Sequence, residues 1–333
     1  MVLTRTFLAF IFLLGGMLTA EAQSGALSID LKKPEKYENR KLQSEKTETK
    51  KWTITRRFVQ NGTTKFNWHY NARNKLQGVI DRAKEQHKDD YNKLLSFYNY
   101  SLEATAQEKS ELDSVIYKAN AAILLHDLRN SWVDNMYMLM AQAYYYRNEP
   151  DSAYTTFQYI NYAFAPKEED GYDLPIGSNA NEGGNAFTIS TKENNSLLHR
   201  AWTSPPSRNE SLVWQGRTFL AKDEFAEAAG MIETLRQDPQ FPARLRPQLH
   251  EVQAYWFYKR EVWDSAAVHL EKALPIAANR EEKARWEYLV GQMYERAGKH
   301  EQASEFYNRA VAHTLNPVLE LYGRLNAIRQ NKG

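Results

Sequence analysis

The chain has 333 residues, a formal net charge of +2, and no cysteine. That near balance argues against a nucleic-acid surface, which needs a clustered basic face, and without disulfides the fold must rest on its own core. Tyrosine is abundant (20) while glycine (15) and proline (11) are sparse, which favours an all-α chain over a sandwich or a βαβ array.

Residues 1–22 read as a signal peptide. Arg5 supplies the basic start, Phe7 to Leu18 the apolar run, and Ala20-Glu21-Ala22 a small-x-small cleavage site. The run is short for a membrane anchor, and no later stretch approaches the ~20 apolar residues a span needs. The chain is therefore expected to be exported and cleaved after Ala22. With no cysteine it is expected to carry no lipid on that residue type. Residues 23–51 follow as a flexible tether; from Asp30 onward both charges alternate with almost nothing apolar, a composition that also suits a solvated helix. Residues 52–133 form an N-terminal helical segment. Phe66, Tyr70, Leu76, Val79, Ile80 and Ala83 recur at helical spacing in its first part. Leu112, Val115, Ile116, Ala119 and Ile123 mark a second stripe, with Ser110 or Asp113 near its start.

Downstream the chain repeats. Val290-Gly291, Tyr294, Gly298, Ala303, Tyr307, Ala310 and Pro317 sit at the offsets of the tetratricopeptide pattern. A small residue at Gly291 lets the second helix approach at Ala303, and Tyr294 and Tyr307 fill the space between turns. The frame recurs at Ala254, Phe257, Ala266 and Leu270, at Gly216, Phe219, Ala228 and Ile232, and at Ala141, Tyr144, Ala153 and Phe157. The contact alanines Ala228, Ala266 and Ala303 lie 38 and 37 residues apart, against about 34 in the pattern. The expected fold is an all-α tetratricopeptide superhelix. Its first recognisable repeat is 134–167, and three more repeats with a capping helix after Pro317 fill 207–330. Between them 168–206 is a long polar loop, rich in Gly, Asn and Pro and without helical period, of the kind that is functional or disordered.

Chemistry is sparse. Eight histidines are scattered without His-x-x-x-His spacing, and neither a Gly-x-Ser-x-Gly elbow nor a phosphate-cradling loop occurs. His126-Asp127 is the one suggestive neighbour pair, read as a helix-end histidine. Catalytic residues, metal ligands and cofactors are accordingly expected to be none. In "NEPDSAYTTF" and "EVWDSAAVHL", Asp-Ser-Ala opens the second helix of a repeat, where the carboxylate suits first-turn amides and the dipole. No histidine is fixed nearby to activate Ser152 or Ser265.

The block from Thr55 to Asn194, including "TRRFVQNGTTKFNWHYNARNKL", "DDYNKLLSFYNYSLE" and "LDSVIYKANAAILLHDLRNSWVDNMYMLMAQAYYYRNEPDSAYTTFQYINYAFAPKEEDGY", resembles the SprE/PorW proteins of gliding motility and type IX secretion in Bacteroidetes. The resemblance implies a non-enzymatic periplasmic adaptor, associated with the outer membrane and bound to protein partners of that machinery. In a tetratricopeptide stack the concave face would carry Asn135, Gln142, Tyr145, Arg217, Tyr255, Tyr258, Lys259, Tyr288, Gln292 and Arg296. Tyrosine with arginine is an interface-rich composition. A glycan-capture protein of the SusD type, also helical and repeat-containing, is the alternative; tryptophans clustered around one cavity would favour it. Asp113-Ser114-Val115, Asp151-Ser152-Ala153 and Asp264-Ser265-Ala266 also fit an Asp-Ser-apolar form resembling the O-glycosylation signal of exported proteins in these bacteria.

Overall fold

A computed structural model of the chain describes residues 29–165, 189–193 and 204–330. Contacts separate Met1–Asp30 from Leu31–Gly333, and the second unit is described by itself. The signal peptide and most of the 168–206 loop lie outside the described residues. Among the described residues no helix is long and apolar enough to cross a membrane.

The described elements are helical, with no strand among them. In chain order they are α1 (Ile54–Thr63), a π-helical turn (Thr64–His69), α2 (Tyr70–Gln86), α3 (Leu102–Ala106), α4 (Lys109–Leu125), α5 (Val133–Tyr146) and α6 (Pro150–Ala163). Then come α7 (Ser207–Ala221), α8 (Phe225–Gln237), α9 (Arg246–Lys259), α10 (Trp263–Ala273), α11 (Arg280–Arg296), α12 (His300–His313) and α13 (Pro317–Gln330). From α4 onward each helix packs on the one before and the one after. The architecture is a succession of helical hairpins stacked in sequence order.

The hairpins share one turn. Asn148, Asp223, Glu261 and Gly298 each sit two residues beyond the end of the first helix with φ of 59°, 58°, 57° and 72°. This left-handed residue reverses the chain, and the next amide reaches back to close the helix end. Glu149 N–H donates to Tyr144 O at 3.0 Å, Glu224 to Phe219 at 2.9 Å, Val262 to Phe257 at 3.0 Å and Lys299 to Tyr294 at 2.9 Å. The second helix then starts at once, too close for large side chains where the two cross. Ala141, Ala153, Ala228, Ala254, Ala266 and Ala303 are all fully buried at these crossings. Gly291 serves the same purpose in a different pairing from its repeat offset with Ala303: a methyl there would fall 2.9 Å from the Tyr307 ring, so the ring occupies the space.

Four local expectations need correction. Residues 31–50 are docked, not a free tether. Leu42 is buried, Ser44 Oγ donates to Leu124 O at 2.8 Å, and Asn120 Nδ2 donates to Lys32 O at 2.6 Å. One apolar anchor and satisfied main-chain groups outweigh the polar composition. Phe66 and Tyr70 do not share the buried stripe of Leu76, Val79, Ile80 and Ala83; both are exposed, Phe66 within the π-turn ahead of α2 and Tyr70 on the opposite side of α2 by ordinary helical spacing. Asp151 and Asp264 do stand in the first turns of α6 and α10, but neither makes a capping bond there. They pair instead with Lys222 (2.9 Å) and Lys299 (2.5 Å) of the following hairpins. Finally, α13 covers α12 through Leu319, Gly323 and Ala327, yet leaves Val318, Leu321, Leu325 and Ile328 exposed. A polar outer face, which a terminal cap would carry, is not what it presents.

Candidate functional site

The expected concave face is occupied by the chain itself. His87 to Ser101 joins α2 to α3 and contains no helix. Its Leu95 and Phe97, each 2 % exposed, enter the core cluster built from α9 to α13, with Tyr91, Leu94 and Tyr98 packed around them.

Groove side chains hold this segment largely by its main chain. Gln292 donates from Nε2 to Lys93 O (2.7 Å) and accepts the Leu95 N–H at Oε1 (3.0 Å). The Tyr258 hydroxyl donates to Leu95 O (2.8 Å) and that of Tyr288 to Tyr91 O (2.9 Å). Arg285, itself buried, donates to both Asp89 oxygens (2.7 and 2.8 Å), to Ser96 O (2.8 Å) and to Phe97 O (3.1 Å). The planar guanidinium matches a carboxylate and adjacent carbonyls where a lysine could not. Tyr255 packs on the rings of Phe97 and Tyr98, each with centroids 4.9 Å away. The Tyr98 hydroxyl donates to buried Glu251, which also pairs with Arg217. Burial first, and the Glu251 charge second, hold that hydroxyl well above the usual tyrosine value, so it stays a donor.

The ten residues expected on the concave face divide accordingly. Tyr258, Tyr288 and Gln292 bind the docked segment directly, Tyr255 stacks on it, and Arg217 acts through Glu251. Tyr145 is buried against Tyr146 and Trp214. Asn135 is buried and donates to Ser207 Oγ at 2.7 Å. Lys259 donates to Leu220 O at 2.9 Å, closing the neighbouring turn. Arg296 is exposed and lies over the Trp263 ring at 5.3 Å. Gln142 lines a separate cleft. The expectation of one open groove is thus corrected: its middle is filled from within. Arg285, Glu251 and the segment itself went unrecognised in the sequence. The legible signal was an aromatic run, Tyr91, Phe97, Tyr98 and Tyr100, with no helical period.

Three clefts among the described residues bear on the site. One of about 300 Å³ lies between His69, Arg73, Gln142, Glu210 and Trp214. Another, about 470 Å³, borders the docked segment and is lined by Tyr98, Tyr100, Tyr145, Tyr255, Tyr258 and Lys259. The largest, about 770 Å³, carries mixed charges from Lys84, Asp89, Glu281, Glu282 and Arg285. Among the described residues no three His, Asp or Glu side chains converge as metal ligands. His126 ends α4, with Nδ1 2.9 Å from Ala122 O, and makes no pair with Asp127. Ser114, Ser152 and Ser265 are half-buried, each followed by a fully buried residue. Compared with known proteins, the chain matches no protein-family model and no curated sequence significantly.

Proposed function

We propose that the chain is a non-enzymatic, tetratricopeptide-type scaffold that binds extended polypeptide, working as an exported adaptor of type IX secretion and gliding motility. One observation carries the binding half of this reading. Side chains from α9 and α11 clamp a non-helical segment through its carbonyls and amides, as a groove for peptide does. The repeat assignment draws on the hairpins of about equal length with one shared turn geometry. The cellular setting comes only from the resemblance of Thr55–Asn194 to the SprE/PorW proteins. The open rim beside the segment, with Tyr255, Tyr258 and Lys259, is where a second polypeptide would lie. Glycan capture has less support: Trp214 is the only tryptophan lining these three clefts, and its ring is packed by Tyr145 and Phe157.

The experiment is a deletion of the coding sequence in the native bacterium, complemented by the chain itself or by the Tyr255→Ala/Lys259→Ala variant. The reading expects exported cargo to accumulate in the periplasm and colony spreading to stop, with partial rescue by the variant. Secretion and spreading at parental levels in the deletion strain would refute it.

A further inference from the structure

Helix α1 is attached inside out. It has the strongest segregation of polar and apolar residues of the described helices, yet none of its ten residues is buried. Its only helical neighbour among the described residues is the π-turn that follows it. Its polar side faces the protein. Arg56 donates to Asp127 (3.1 Å), Gln60 accepts the Asp127 N–H (3.1 Å), and Asn61 exchanges two bonds with Ser131 (3.1 and 3.3 Å). The apolar side faces out: Ile54 is 89 % exposed, Val59 54 %, Phe66 66 % and Tyr70 58 %. Spacing by four residues drifts roughly 40° per step on an α-helix. The wider π-turn, closed by Tyr70 N–H on Lys65 O, offsets part of that drift.

Charge says what such a face fits. From residue 49 to residue 80 the chain carries Lys50, Lys51, Arg56, Arg57, Lys65, Arg73 and Lys75, and no Asp or Glu. Arg56 and Lys75 are paired with Asp127 and Glu111. None of the other five forms an ion pair among the described residues, though Arg73 shares a cleft with Glu210 and acts on its charge. An outward apolar stripe whose own stretch of chain supplies cations and no acids matches a surface that is apolar beneath and uniformly anionic above, which is a lipid bilayer with acidic headgroups. A protein partner of mixed surface would call for acids among these bases.

We propose that α1, the π-turn and the start of α2 form a docking face for an anionic membrane surface, laid flat with Ile54 and Phe66 among the acyl chains. This does not rest on the groove reading above, and its failure would leave that reading intact.

The absence of cysteine allows single labels. Nitroxides on Ile54→Cys, Phe66→Cys and, as a control, exposed Glu301→Cys of the full chain are mixed with phosphatidylglycerol/phosphatidylcholine vesicles. The labels at 54 and 66 should become inaccessible to a water-soluble relaxant while the label at 301 stays accessible. Lys51→Glu with Arg57→Glu should weaken that shielding roughly tenfold or more, and pure phosphatidylcholine should shield far less. Labels at 54 and 66 that stay wet on vesicle-bound protein would overturn the proposal. So would shielding indifferent to charge reversal. Shielding by an acidic protein in solution, with none on vesicles, would make the face a protein interface and overturn it equally.

Discussion

Replacing Gln292 by alanine should loosen His87–Ser101 from its groove while leaving the hairpins folded. Gln292 makes two bonds to that segment. The Leu95 amide would lose its acceptor inside a 2 % exposed site, a loss of about 1–3 kcal/mol. The Lys93 carbonyl belongs to an exposed residue and can turn to water, so its bond adds only ~1 kcal/mol. The variant should therefore destabilise docking by about 2–4 kcal/mol. Opposing release, burial of Leu95 and Phe97 contributes about 1.5–3 kcal/mol each, and the Tyr258, Tyr288 and Arg285 bonds remain. The segment thus stays docked on average but opens more often. At about 1.4 kcal/mol per factor of ten, exchange of the Leu95 amide should quicken about 30-fold or more. Hydrogen exchange resolved to that amide is the assay, with amides in α12 as the internal reference. An unchanged Leu95 amide would refute the reasoning. Equal acceleration in α12 would also refute it, because the segment would then open only with the whole stack.

Glu261 holds a left-handed conformation (φ 57°) that costs an L-residue about 1–2 kcal/mol. Even after its entropic penalty, Glu261→Gly should raise stability by ~0.5–1 kcal/mol in urea melts; a lower midpoint would contradict the turn geometry. Gly291→Ala should overpack the Tyr307 ring and lose about 1–3 kcal/mol, partly regained with Tyr307→Leu. Unchanged stability would mean the contact is not tight. Burial, then neighbouring positive charge, lowers His69 and His269 to about 4. Both stay neutral when folded, while the unfolded chain takes up protons below about 6.5. Their contribution is complete above that value and declines as pH falls from 6.5 to 4, so the urea midpoint should drop across that window and a flat profile would exclude it. Last, protein from its native envelope should carry extra mass at one or more of Ser114, Ser152 and Ser265; the bare polypeptide mass would end that proposal.

The hairpins could be read from sequence because their causes are local. Periodic apolar residues define a helix face within a few turns, and Ala228, Ala266 and Ala303 mark crossings where only small side chains fit. Gly298 announces its turn openly, and Asn148 and Asp223 tolerate the same conformation. Glu261 does not, and tertiary context imposed it. What sequence could not show is which face of a pattern meets what. The amphipathic stripe of α1 is plain in the residues, but periodicity cannot say whether its apolar side points in or out. The answer came from Asp127 and Ser131, about 70 residues away, which hold the polar side. The groove tells the same story. Gln292 and Tyr258 grip the main chain of a segment some 160 to 200 residues upstream, and every residue type but proline carries the same amide and carbonyl. Bonds to those shared groups leave no signature in the side chains, so only the folded chain could reveal that the groove was already filled.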